Sequence, residues 1–133
     1  MSDVFLDAAG AIALINTSDQ WHRAADAAYQ LLKQSHREFI TTAPVLLETG
    51  NAFSRTRYRE NVGNLWTSFA AGGKIIFPSS DDYDEAWRLY RRGEAGDAGI
   101  VDCISFAVMR RLGLTEAFTN DQHFSAAGFV TLF

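Results

Sequence analysis

The chain opens on a short apolar run, Val4-Phe5-Leu6, which is too brief for a helix and ends on Asp7, the pattern of a buried strand. Apart from Ile12, small residues fill positions 8 to 13. Trp21, Ala24, Ala28 and Leu31 then recur at helical spacing behind a Ser18-Asp19 capping signal, predicting an amphipathic helix with that stripe turned inward. Phe39-Ile40-Thr41 reads as a second strand. Thr42 as N-cap and Pro44 in the first turn start a helix expected to run to about Arg57. Leu65, Trp66 and Phe69 mark another helix, ended by Gly72-Gly73, and a third strand spans Lys74 to Phe77 before Pro78. From Ser79-Ser80 a helix carries Asp81, Asp82, Asp84 and Glu85 in its first turns and Arg88, Arg91 and Arg92 in its last, matching the helix dipole; Gly93 follows. Its inward stripe is read as Tyr83, Trp87 and Tyr90. The segment from Ile100 to Leu112 is apolar nearly all round the wheel, predicting a core helix that stops at Gly113. Ala117-Phe118 and Phe129 to Phe133 supply two further strands, with a short helix near Ser125-Ala126-Ala127 between them.

Strands interleaved with helices predict an α/β/α sandwich: a central, mainly parallel sheet of about five short strands with right-handed crossovers. The 133 residues show no linker or repeat and are expected to form a single domain, 1–133. A lone Cys103 excludes an internal disulfide. No apolar stretch approaches the roughly 20 residues of a membrane span, and the first residues lack a secretory pattern, so a cytoplasmic location without membrane contact is expected. A net charge of −4 argues against a simple nucleic-acid-binding module. It leaves room for a nucleic-acid enzyme, because acids gathered around divalent cations would be neutralised.

Most acids lie on solvated helix faces or in first turns. Four stand where an apolar environment is expected: Asp7 directly after a strand, Glu48 directly after Val45-Leu46-Leu47, Asp102 at the start of the core helix, and Asp121 after the strand at Phe118. Each alone has a structural reading as a turn, cap or dipole acid. Strand-end positions are also where α/β folds assemble sites. Together at one sheet edge the four would repel strongly unless cations sat among them, and oxygen donors with few histidines select Mg²⁺ or Mn²⁺ over zinc. Such ions orient and activate a water for phosphodiester hydrolysis. Asn51, at i+3 from Glu48, is placed to orient it. Arg55, Arg57 and Arg59 are candidates for holding the phosphates of a nucleic acid. His22 and His36 read as bystanders, His123 as a turn-capping residue and Cys103 as a core residue. The glycine-rich stretch 93 to 99 lacks a G-K-[ST] ending and reads as a connection.

The ordered pieces VFLDAAGAIALIN, APVLLETGNA, GIVDCISFAVMRRLGL and AFTNDQHFSAAGF resemble PIN-domain ribonucleases, specifically the VapC-type toxins of bacterial VapBC toxin-antitoxin pairs. The resemblance spans essentially the whole chain. It implies a metal-dependent endoribonuclease with Asp7, Glu48, Asp102 and Asp121 as the catalytic and metal-holding acids, using Mg²⁺ or Mn²⁺. It also implies supporting hydroxyls at Ser105 in the D-x-x-S turn and at Thr119 in T-x-D-x-H-F. A cognate antitoxin and a homodimer are further implications. Ala8 departs from the Thr or Ser usual after the first acid. That departure keeps open an alternative, a catalytically silent module whose acidic pocket receives a basic partner peptide.

Overall fold

The computed structural model describes residues 3–133. In chain order the elements are β1 (Val4–Leu6), α1 (Ala8–Ile15), α2 (His22–Gln34), β2 (Phe39–Thr42), α3 (Ala43–Ala52), α4 (Arg59–Ala71), β3 (Ile75–Ile76), α5 (Ser80–Arg92), α6 (Ile100–Leu112), β4 (Glu116–Phe118), α7 (Gln122–Ala126) and β5 (Val130–Thr131). The five strands form one sheet in the order β3-β2-β1-β4-β5, and every pairing is parallel. The expected sandwich is therefore present, with a sheet that is wholly and not merely mainly parallel. Strand β1 lies at its centre, and the alternation of side chains divides the core in two. Phe5 points into a cluster with Val45, Leu89, Phe106, Val108 and Phe124, while Val4 and Leu6 point into one with Ala11, Ala25, Leu32 and Phe118.

Helix α1 sits hard against the sheet. A Cβ built on Gly10 would lie 2.0 Å from the carbonyl oxygen of Phe118, so the absence of a side chain is what lets α1 approach β4. The sequence pattern marked this stretch only as small residues.

Two helices face differently from the expected stripes. In α2 the buried residues are Ala25 and Leu32, with Ala28 and Tyr29 half-buried, whereas Trp21 and Leu31 are 44% and 63% exposed. In an alanine-rich helix small residues lie on several faces, and the surface that fits against α1 wins over the one with the largest side chains. In α5 the inward residues are Asp82, Ala86 and Leu89, and the aromatic stripe Tyr83, Trp87 and Tyr90 is exposed. Ala86 allows close packing on α6, and Asp82 makes a two-pronged ion pair with Arg111 at 2.7 and 2.8 Å. Helix α3 stops at Ala52 instead of continuing towards Arg57, because Phe53 and Thr56 form hydrogen-bonded turns after it.

Asp82 also completes a capping box with Ser79: its carboxylate accepts from the Ser79 N–H at 2.9 Å, and the Ser79 hydroxyl accepts from the Asp82 N–H at 3.2 Å. Both Arg111 and the cap hold its carboxyl below the usual carboxylate range, with Arg111 the larger influence. Asp82→Ala is expected to cost about 2 kcal/mol at pH 7, since it strips both the cap and a buried acceptor. A depressed acid stabilises the fold above its unfolded pKa and loses that contribution as pH falls through its folded value, so the gap between wild type and variant should close in acid. Urea melts at pH 7 and in acid well below the ordinary carboxylate value of 3.8 measure it; equal stability at pH 7 would refute the assignment.

Candidate active site

The carboxyl ends of β1 and β4 lie side by side, with Leu6 in register with Phe118. The next residues of each strand therefore emerge together. Asp7 occupies the N-cap position of α1 in extended backbone and is almost wholly buried, at 2% exposure. Thr119 donates its hydroxyl proton to Asp7 Oδ2 at 2.9 Å, and the Thr119 oxygen accepts from the Asp121 N–H at 3.1 Å. One buried threonine thus links the two strand-end acids. Asp121 caps α7 by accepting from the His123 N–H at 2.9 Å. Glu48 comes from the second turn of α3 and Asp102 from the first turn of α6, two helices that pack together.

The charges report that these four acids converge. Burial pushes the Asp7 carboxyl up to about 6, Thr119 and the Ala8 N–H oppose that, and the charges of Asp121 and Glu48 add to it. Burial pushes Asp102 up to about 7, reinforced by Asp7, Asp121 and Glu48. Glu48 is raised by burial and then by Asp121. Its residue as a whole is solvent-exposed, so its carboxyl lies at the mouth of the cluster. Among the described residues no lysine or arginine pairs with any of the four.

His123 lies beside these acids, although its place two residues after Asp121 favours a packing or capping role in the sequence. Its Nδ1 lies 2.7 Å from Asp121 Oδ1 and its Nε2 lies 2.6 Å from Asp97 Oδ1, so the ring bridges the fourth acid to the glycine-rich connection. Donor atoms of Asp102, Asp121 and His123 fall within 4.8 Å of one another. The spacing D-x-H was visible in the sequence; the turn of α7 that folds the ring back was not. Asp97 carried no sequence signal at all.

The side chains of the other candidates make no hydrogen bond to the four acids among the described residues. The Ser105 hydroxyl is buried and donates to the Val101 carbonyl of its own helix at 3.1 Å. Asn51 is exposed and makes no hydrogen bond to Glu48 among the described residues. Arg55 and Arg57 are exposed on the segment that joins α3 to α4, and Arg59 is exposed as the first residue of α4. Ala8 is buried, with its methyl group in the core. His22 binds the Ala13 carbonyl at 2.8 Å, and Cys103 is buried and free, as expected of bystanders.

A family profile described as the PIN domain matches residues 4–130. The chain belongs to the PIN domain family. Over 128 residues this PIN domain is 30% identical to the 23S rRNA-specific endonuclease VapC20 of two Mycobacterium tuberculosis strains, covering 96% of this chain and 95% of the relative. The crystal structure of M. tuberculosis VapC20, described as a sarcin-ricin loop cleaving toxin, superposes with a TM-score of 0.80 at 27% identity, covering 96% and 97% of the two chains. FitAcB of Neisseria gonorrhoeae and the DNA-bound VapBC of Salmonella typhimurium share the fold, with TM-scores of 0.68 and 0.65 at 14% and 16% identity. They cover 98% of this PIN domain and 96% and 97% of their own chains. The family expected from the sequence is thereby established.

Proposed function

We propose that this PIN domain is a divalent-metal-dependent endoribonuclease and the toxin of a toxin-antitoxin pair. One observation carries the reading: four carboxylates, two just past β1 and β4 and two on α3 and α6, gather at the carboxyl edge of the sheet, where burial and neighbouring negative charge raise Asp7, Glu48 and Asp102, with no lysine or arginine partner among the described residues. An all-carboxylate donor set at a buried edge fits Mg²⁺ or Mn²⁺, with Asp7, Glu48, Asp102 and Asp121 as the holding residues. A divalent ion supplies Lewis-acid activation of water and neutralises charge on the phosphate. The protein contributes orientation. Thr119 fixes the Asp7 carboxylate, His123 fixes that of Asp121, and packed helices fix the other two. The silent-module alternative gains no support from the relatives, of which one of near-equal length is named an endonuclease.

No helix among the described residues is long and apolar enough to cross a membrane. RNA as substrate, with 23S rRNA the first to test, follows the endonuclease relative of near-equal length. An antitoxin partner follows the VapBC and FitAcB neighbours, and with it a cytoplasmic setting. A homodimer remains part of the same reading.

The test is cleavage of a mixed ribosomal and transfer RNA pool with Mn²⁺ or EDTA, with Asp102→Asn beside wild type. Discrete fragments that require metal and vanish in the variant are expected. Fragments that persist in EDTA, or an equally active variant, would overturn the reading. His123→Ala is expected to raise the Mn²⁺ concentration for half-maximal activity by about tenfold or more, as loss of a ligand-orienting group does. Asp97→Ala should do less, since that side chain is 96% exposed. A metal titration of activity reads both.

A further inference from the structure

The twelve lysines and arginines of the chain differ in whether a carboxylate meets them. Arg37, Lys74, Arg88, Arg92 and Arg111 pair with carboxylates. Arg55, Arg57 and Arg59 form no ion pair among the described residues, as Arg23, Lys33, Arg91 and Arg110 form none, but unlike those four they crowd within five residues, all three exposed, of a protein with net charge −4.

The segment that carries them is built to hold shape. Phe53 is buried at its base, at 4% exposure. The Thr56 hydroxyl donates to the Phe53 carbonyl at 2.9 Å and accepts from the Tyr58 N–H at 3.1 Å. Arg59 donates to the Ser54 carbonyl at 3.2 Å. The Arg57 guanidinium lies over the Tyr58 ring, 5.0 Å from its centroid, and donates to the Tyr58 hydroxyl at 2.9 Å. That hydroxyl lies 3.5 Å from the Thr17 hydroxyl, just past the end of α1. Backbone and ring contacts thus order the arm while leaving its charge uncompensated.

The arm is close to the acids. Five residues of helix separate Glu48 from Phe53, about 7 Å along the axis, and the eight residues of α1 separate Asp7 from the Thr17 side by about 12 Å. At about 3.4 Å of rise per nucleotide, this is a few nucleotides of one strand. Arg59 also lines a groove of about 400 Å³ with Leu47, Asn51 and Trp66, which runs past the helix face next to Glu48.

We infer that Arg55, Arg57 and Arg59, ordered by Phe53, Thr56 and Tyr58, form a phosphate grip that holds the RNA backbone a few nucleotides from the scissile bond. This rests on the ribonuclease reading above. The grip positions substrate and takes no part in the chemical step. It therefore acts on KM and on salt dependence, not on kcat.

The test compares wild type with R55Q/R57Q/R59Q and with R23Q/K33Q/R91Q, a control with the same charge loss at other exposed arginines and lysines. Anisotropy with a short single-stranded RNA of mixed sequence, in EDTA, reads binding without cleavage. The log-log salt slope of the arm variant should be shallower by about 2, the value for three phosphate contacts on a single strand. Its KM for cleavage with Mn²⁺ should rise on the order of tenfold, with kcat held, while the control keeps the wild-type slope. Equal slopes and KM in the two variants would overturn the grip, as would a loss confined to kcat. Grip-dependent binding by a protein that cleaves no RNA would instead sustain the grip and refute the ribonuclease reading.

Discussion

Asp7→Asn is expected to remove RNA cleavage, on the order of a thousandfold or more, and at the same time to stabilise the metal-free protein. Both effects have one cause. The Asp7 carboxyl is 2% exposed, and burial with the neighbouring charges of Asp121 and Glu48 lifts it to about 6. An acid whose folded pKa is raised binds its proton more tightly in the folded state, so stability falls as pH rises from the ordinary carboxylate value of 3.8 towards 6 and then levels off. The interval corresponds to about 3 kcal/mol at roughly 1.4 kcal/mol per pKa unit, an upper figure for one buried group. Asparagine keeps the acceptor that Thr119 needs and carries no charge. In EDTA at pH 8 the variant should therefore unfold at higher urea than wild type, and at pH 4 the two should converge. Mn²⁺ should reverse the order at pH 8, stabilising wild type by binding to the folded state alone and leaving the variant little changed. A variant less stable than wild type in EDTA at pH 8 would remove the electrostatic account of the site. Asp102, lifted to about 7 by burial and the same neighbours, should respond with the same sign over a window that extends to higher pH.

Those acids were legible in the sequence because each broke a local rule. Asp7 ended an apolar strand, and Asp102 opened a helix that is apolar all round. Boundary signals were equally direct: Thr42 is the N-cap of α3, and Gly113 takes the left-handed conformation after α6. Helix facing was less legible. In α5 the large aromatics set the apparent stripe, but Asp82 could turn inward only because Arg111, 29 residues later, meets it there. In α2 the choice among alanine faces was made by the surface of α1. The bridge through His123 to Asp97 spans 26 residues and depends on the path of the glycine-rich connection, which leaves no periodic trace. The end of α3 depended on side-chain hydrogen bonds at Thr56 that compete with continued helix.

Gly10→Ala is expected to destabilise the protein by about 3 kcal/mol or more and to lower the activity of the molecules that still fold. The added Cβ would sit 2.0 Å from the Phe118 carbonyl oxygen, 2.7 Å from a Phe118 ring carbon and 2.9 Å from the Phe118 carbonyl carbon. Two of those atoms are backbone of a strand buried within the sheet and cannot swing aside. Helix α1 must lift away from β4 instead. Alanine's greater helix propensity returns only about 1 kcal/mol, too little to offset the displacement. Lifting α1 also moves Asp7, its N-cap, away from Thr119, the residue directly after Phe118, so the strand-end acids separate as the helix rises. Gly63→Ala separates this effect from the general influence of alanine in a helix. Gly63 lies inside α4, where an added Cβ would meet nothing within 4 Å, and its replacement should stabilise by up to about 1 kcal/mol. Thermal unfolding reads both: a fall on the order of 10 °C is expected for Gly10→Ala and a small rise for Gly63→Ala. Were Gly10→Ala as stable and as active as wild type, the close seating of α1 on β4 could not be what holds Asp7 against Thr119.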